Sequence, residues 1–158
     1  MIRRFFLAAG VAAVFAGPLA AQANERDVRE LTRAELETAK KQIVAANMTL
    51  TEQESQAFWP LFDQYQAERR ANTDRRVALI ERYGNSYSAM TDAVADSLAK
   101  QWIAVEKDRS ALAGEWYPKF RKVLPATKAA RFMQIESKLQ ALIDYHIADN
   151  VPLIPATK

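Results

Sequence analysis

Leu50-Thr51-Glu52-Gln53-Glu54-Ser55-Gln56-Ala57-Phe58-Trp59-Pro60-Leu61-Phe62-Asp63-Gln64-Tyr65 is the stretch whose reading decides the fold. Thr51 with Glu54 three residues later is a capping box: the hydroxyl accepts from the Glu54 N–H, and the Glu54 carboxylate accepts from the Thr51 N–H. Phe58, Leu61, Phe62 and Tyr65 then recur at helical spacing. Val77, Ile80 and Tyr83 carry the stripe on, and Gly84-Asn85 is a stop signal, so the pattern predicts a helix over 51–83. Pro60, in its second or third turn, removes one backbone hydrogen bond and predicts a kink.

The same construction recurs 74 residues later as Leu124-Pro125-Ala126-Thr127-Lys128, with Phe132 eight residues after the leucine, as Phe58 follows Leu50. In both places an apolar residue before the start can fold back on the first turns as a hydrophobic staple. Pro125 suits a first-turn position, giving a helix over 125–149 whose apolar face is Phe132, Ile135, Leu139, Leu142 and Ile143. Between the two lies a helix over 91–123, with Thr91 as N-cap. Its stripe of Val94, Leu98, Trp102, Val105, Leu112, Trp116, Phe120 and Val123 has one polar step at Arg109, and Pro118 bends its last turns.

A first helix is predicted over 27–46, from Val28, Leu31, Leu36, Ala39 and Ile43. The tail Val151-Pro152-Leu153-Ile154-Pro155 is extended, because each proline disfavours helix at the residue before it. The fold expected is all-α: an elongated antiparallel helical hairpin or cradle of about four helices with an extended C-terminal tail. Two helices of about 33 residues would each span roughly 50 Å, which favours a narrow bundle over a squat one.

The first 23 residues have the three parts of a cleavable secretory signal: Arg3 and Arg4, an apolar run from Phe5 to Phe15, and Ala21-Gln22-Ala23 as the exit. The expectation is cleavage after Ala23, a periplasmic location and one helical domain over 24–158. Of 22 basic and 19 acidic residues in the chain, two arginines and no acid fall in that leader, leaving 20 against 19. The apparent basic character is thereby removed, and nucleic acid is not an expected partner. With no cysteine, disulfides, thiolate metal sites and thiol chemistry are excluded, and an apolar core must hold the fold.

Leu50-Thr51-x-x-Glu54, followed by Phe58-Trp59-Pro60-Leu61-Phe62 and Tyr65, resembles the first LTxxQ-type motif of the Spy/CpxP family of exported helical proteins. Leu124-Pro125-x-x-Lys128, with Arg131, Phe132, Gln134, Ile135 and Glu136, resembles the second. Glu54 and Lys128 stand where the family motif has glutamine, and Pro125 where it has threonine. The resemblance implies a periplasmic cradle-like fold, often a homodimer. It also implies either ATP-independent binding of unfolded polypeptides or regulatory docking on a specific envelope partner such as a sensor kinase.

On that reading the candidate client-binding residues are Trp59, a large amphipathic ring beside the apolar stripe, and a basic rim of Arg69, Arg70, Arg75, Arg76, Lys119, Arg121 and Lys122. Glu68, Asp74 and Glu81 interleave with the arginines, which is also the pattern of an ordinary solvated helix face. A basic rim could equally meet a membrane surface. His146, the one histidine, is expected at a core edge rather than as a metal ligand. No cofactor is expected. The serines lack a histidine base, there is no phosphate-binding glycine loop, and the carboxylates are scattered, so catalysis is not expected.

Overall fold

The computed structural model describes residues 33–156; the expected leader and the first turns of the predicted first helix lie outside them. The described residues form four α-helices and no strand, so the chain is all-α. α1 covers 33–47, α2 Glu52–Ser86, α3 Asp92–Val123 and α4 Ala126–Asn150. A short 3₁₀ turn at Tyr87–Ala89 leads from α2 towards α3, and residues 151–156 after α4 are non-helical. The chain divides into two compact units, Met1–Ile43 and Val44–Lys158. In the first, residues 33–43 are helical and mostly exposed. The second holds the core.

The capping box closes as the sequence requires, with Thr51 N–H donating to Glu54 Oε2 at 2.7 Å and Glu54 N–H donating to Thr51 Oγ1 at 3.2 Å. Thr91 caps α3 through Val94 N–H at 3.3 Å. Pro125 stands at the N-cap of α4 rather than inside its first turn, with an extended ψ of 152°. α2 continues through Gly84-Asn85 to Ser86, which corrects the predicted stop. Neither described glycine has a positive φ, so Gly84 keeps helical geometry and the left-handed cap that makes glycine a terminator never forms. Pro60 and Pro118 are both accommodated within continuous helices.

α2 and α3 run antiparallel, with Tyr65 facing Trp116, Asn72 facing Val105 and Arg82 facing Gln101. α4 runs parallel to α2, since Phe58 meets Phe132 and Arg76 meets Asp144. No Cα pair links α2 and α4 within 8 Å. Directly packed helices stand about 8–10 Å apart between axes, so α2 and α4 are bridged by long side chains.

What fills the space between α2 and α4 changes along their length. At the end nearest the two motifs it is aromatic: Phe58, Phe62, Tyr65, Trp116, Phe120 and Phe132 are all buried. Phe120 and Phe132 have ring centroids 4.7 Å apart, Phe58 and Phe132 5.2 Å in an edge-on arrangement, and such pairs add about 0.5–1.5 kcal/mol beyond area burial. Val44, Met48, Leu124 and Ala129 close this cluster. The buried Trp116 indole donates to Glu68 Oε2 at 2.8 Å, satisfying its one polar atom.

Further along, the interior turns polar, and here two expected stripes are corrected. On α4 the buried residues after Phe132 are Glu136 and Gln140, while Leu142 is 68% and Ile143 52% exposed. On α2, Arg76 and Leu79 turn inward and Val77 outward. The reason is pairing: Glu136 and Gln140 are met by Arg69, and Asp144 by Arg76. The α3 stripe agrees with its prediction, every apolar member being buried or half-buried.

Phe132, which touches Phe58, Phe62, Tyr65 and Phe120, is the residue whose loss should be felt most. Phe132→Ala is expected to destabilise the fold by about 3–5 kcal/mol in urea titration. A change under about 1 kcal/mol, the range of an exposed site, contradicts this packing.

Candidate functional site

The two motif starts meet. Lys128 Nζ lies 2.5 Å from Glu54 Oε2, the same oxygen that accepts from the Thr51 N–H. The two positions that depart from glutamine in the family motif are therefore each other's partners. Nearby, Arg131 donates to the Asn47 carbonyl at the end of α1 at 2.6 Å, and Arg121 to the Leu124 carbonyl at 2.5 Å. Leu50 packs against the core, and Phe58, Leu124 and Phe132 are part of it. Trp59 is half-buried over the same cluster, edge-on to Phe58 and Phe62, with its indole donating to Ser55 Oγ at 3.0 Å. The motif residues are thus mostly fold-forming, with Pro60 exposed.

The basic residues separate into two groups. Arg69 and Arg76, which the charge pattern placed on a helix face or rim, point inward. Arg69 binds Glu136 at 3.0 Å and Gln140 at 2.7 Å and stacks near the Tyr65 ring. Arg76 reaches Asp144 at 2.5 Å and lies over the Trp102 ring, 5.0 Å from its centroid. Arg109 completes this layer by pairing with Glu106 and Asp144. Asn72 donates to the Val105 carbonyl at 2.9 Å. Arg75, paired with exposed Asp108 at 2.8 Å, stays on the surface, as do Arg70, Arg121 and Lys122, and Lys119 lies over the Trp116 ring at 3.7 Å.

Beyond the polar layer the bundle opens into a cavity of about 620 Å³. Leu79, Ile80 and Tyr83 of α2 form one wall, Leu98, Trp102 and Ile103 of α3 another, and Ile147 of α4 with the tail the rest. Arg76, Glu106 and Asp144 form its polar inner end. This volume, apolar lining and small polar set suit a binding site for an apolar group. The groove escaped the sequence reading, although its tail was read as extended. No sequence signal marked it, because it exists only once α4 turns its polar face inward.

His146 is exposed rather than at a core edge, and its backbone carbonyl accepts from Asn150 Nδ2 at 2.8 Å. Among the described residues no cluster of three or more His, Cys, Asp or Glu could hold a metal, and no helix is long and apolar enough to cross a membrane. No family model, curated protein or solved structure matches the chain.

The hydrogen bond from Lys128, then that from the Thr51 backbone, holds the Glu54 carboxyl below its ordinary value of 4.5. For Asp144, burial acts in the raising direction and is outweighed by hydrogen bonds from Gln140 and Arg76 and the charges of Arg76 and Arg109, so its pKa is also lowered. Carboxylates lowered on folding stabilise the native state above their unfolded pKa, and this stabilisation is lost as pH falls through the folded value. Stability should therefore decline as pH drops below about 4.5. Glu54→Gln should lower stability at neutral pH and narrow the gap between urea midpoints at about pH 7 and about pH 3. An unchanged gap contradicts the Glu54–Lys128 pair.

Proposed function

We propose that this chain is a Spy/CpxP-like exported protein that binds unfolded polypeptides in the periplasm without nucleotide. The resemblance supplies the family, and the leader-like N-terminus supplies the compartment. The observation that carries the activity is apolar side chains held out to solvent on a folded scaffold. Leu142 and Ile143 on α4 and Ile103 on α3, 66% exposed, stand outside a core already complete without them. Exposed apolar surface of this kind marks an interaction site. Elsewhere on the surface Arg70, Arg121 and Lys122 are exposed, basic groups that would draw in acidic segments of a client.

Binding on this reading is an encounter through charge followed by shallow apolar contact, which delays aggregation while leaving the client free to fold. Full-length mature protein added to a denatured client at about equimolar ratio should suppress light scattering on dilution, and raised salt should weaken the effect, because exposed charges are screened beyond about 8 Å at physiological ionic strength. Absence of suppression at every ratio contradicts the proposal. Recovery of one specific envelope protein by cross-linking, without general suppression, would assign the chain to regulatory docking instead.

A further inference from the structure

We propose that the open groove takes an extended aliphatic segment of a client, and that the chain's own tail, Val151–Pro155, is a displaceable strap across its mouth. This rests on the polypeptide-binding reading above and names where and what it binds. The tail supplies the chemistry of the occupant. Val151, Pro152, Leu153 and Ile154 line the groove without forming helix, and two prolines in five residues keep the segment extended. A peptide of this kind is therefore already seated at the site.

The tail is held lightly. The Tyr83 hydroxyl donates to the Pro152 carbonyl at 2.7 Å. Leu153 is 90% exposed, so the strap leaves much of its own apolar surface unused. Burial, with the adjacent Tyr87, raises the Tyr83 pKa, and its hydroxyl remains a donor.

The inner end of the groove carries a second, independent feature. Arg76 has a side chain only 8% exposed, yet its Nε lacks a hydrogen-bond partner, as does Glu106 Oε1, and both atoms are buried. They lie 4.0 Å apart, too far to satisfy each other. A donor and an acceptor side by side match what one residue of an extended chain presents along its edge, where N–H and C=O engage a partner together. Buried polar groups left unmade are unfavourable, so a small outward turn of the Arg76 and Glu106 side chains would let a peptide edge satisfy both atoms while its side chains enter the apolar walls.

Isothermal titration calorimetry of the capped peptide Val-Pro-Leu-Ile-Pro into full-length protein tests the proposal. Wild-type protein should bind saturably. Tyr83→Phe, which removes the tether, should bind roughly two- to tenfold more tightly, the effect of one net hydrogen bond on the fraction of open groove. Ile154→Asp, which loosens the strap from the apolar side, should act in the same direction. Ile103→Glu, at the groove mouth, should abolish binding. Unchanged affinity in both strap variants, binding retained in Ile103→Glu, or no binding to any form overturns the proposal. Ile103→Glu that loses the peptide but still suppresses aggregation overturns the groove as client site and leaves the chaperone reading standing; wild-type protein that binds the peptide but never suppresses aggregation does the reverse.

Discussion

Glu136 is 3% exposed, and a carboxylate at that depth needs a cation and further donors to offset its lost hydration. Arg69 from α2 supplies the cation at 3.0 Å, and Gln66 donates a second bond at 3.2 Å. Because the partner reaches across from another helix, the pair fixes both the rotation of α4 and its separation from α2. Gln140 and Asp144, one and two turns further on, repeat the arrangement with Arg69 and Arg76. Removing one member of such a pair strands the other, which is far more damaging than replacing both by apolar groups.

The rest of the architecture follows from that rotation. With Glu136, Gln140 and Asp144 turned inward, Leu142 and Ile143 are carried outward. The same layer separates a closed aromatic end from an open apolar one: on one side Phe58, Phe120 and Phe132 are completely buried, on the other a groove remains that the tail only partly spans. Packing is tightest in the first region, and the groove we propose as a binding site lies in the second. This division resembles the usual compromise in which surfaces that must open are drawn from the least protected part of a fold.

The elements legible in the sequence were those set by local chemistry. Thr51 and Glu54 specify a helix start within four residues, and the α3 stripe has one apolar face to choose from. α4 was harder because it carries two stripes at helical spacing, Glu136–Gln140–Asp144 and Leu139–Leu142–Ile143. Which one faces inward depends on Arg69 and Arg76, more than 60 residues earlier in the chain, and no periodicity within α4 reports that. The basic rim was misplaced in part for the same reason: interleaved acids on α2 resemble solvated neighbours, whereas the partners of Arg69 and Arg76 lie on α4. Gly84 misled in a simpler way, since glycine permits a left-handed cap without requiring one. The groove was illegible because it arises from the spacing between helices.

The central claim is that one polar layer divides a tightly closed core from a loosely held, open half. Native-state amide hydrogen exchange, resolved by residue along α2 and α4, tests it most directly. The account predicts that 58–69 of α2 and 129–140 of α4 exchange only through global unfolding, whereas 79–86 and 143–150 exchange through local opening at markedly lower free energy. Uniform protection along both helices would contradict it.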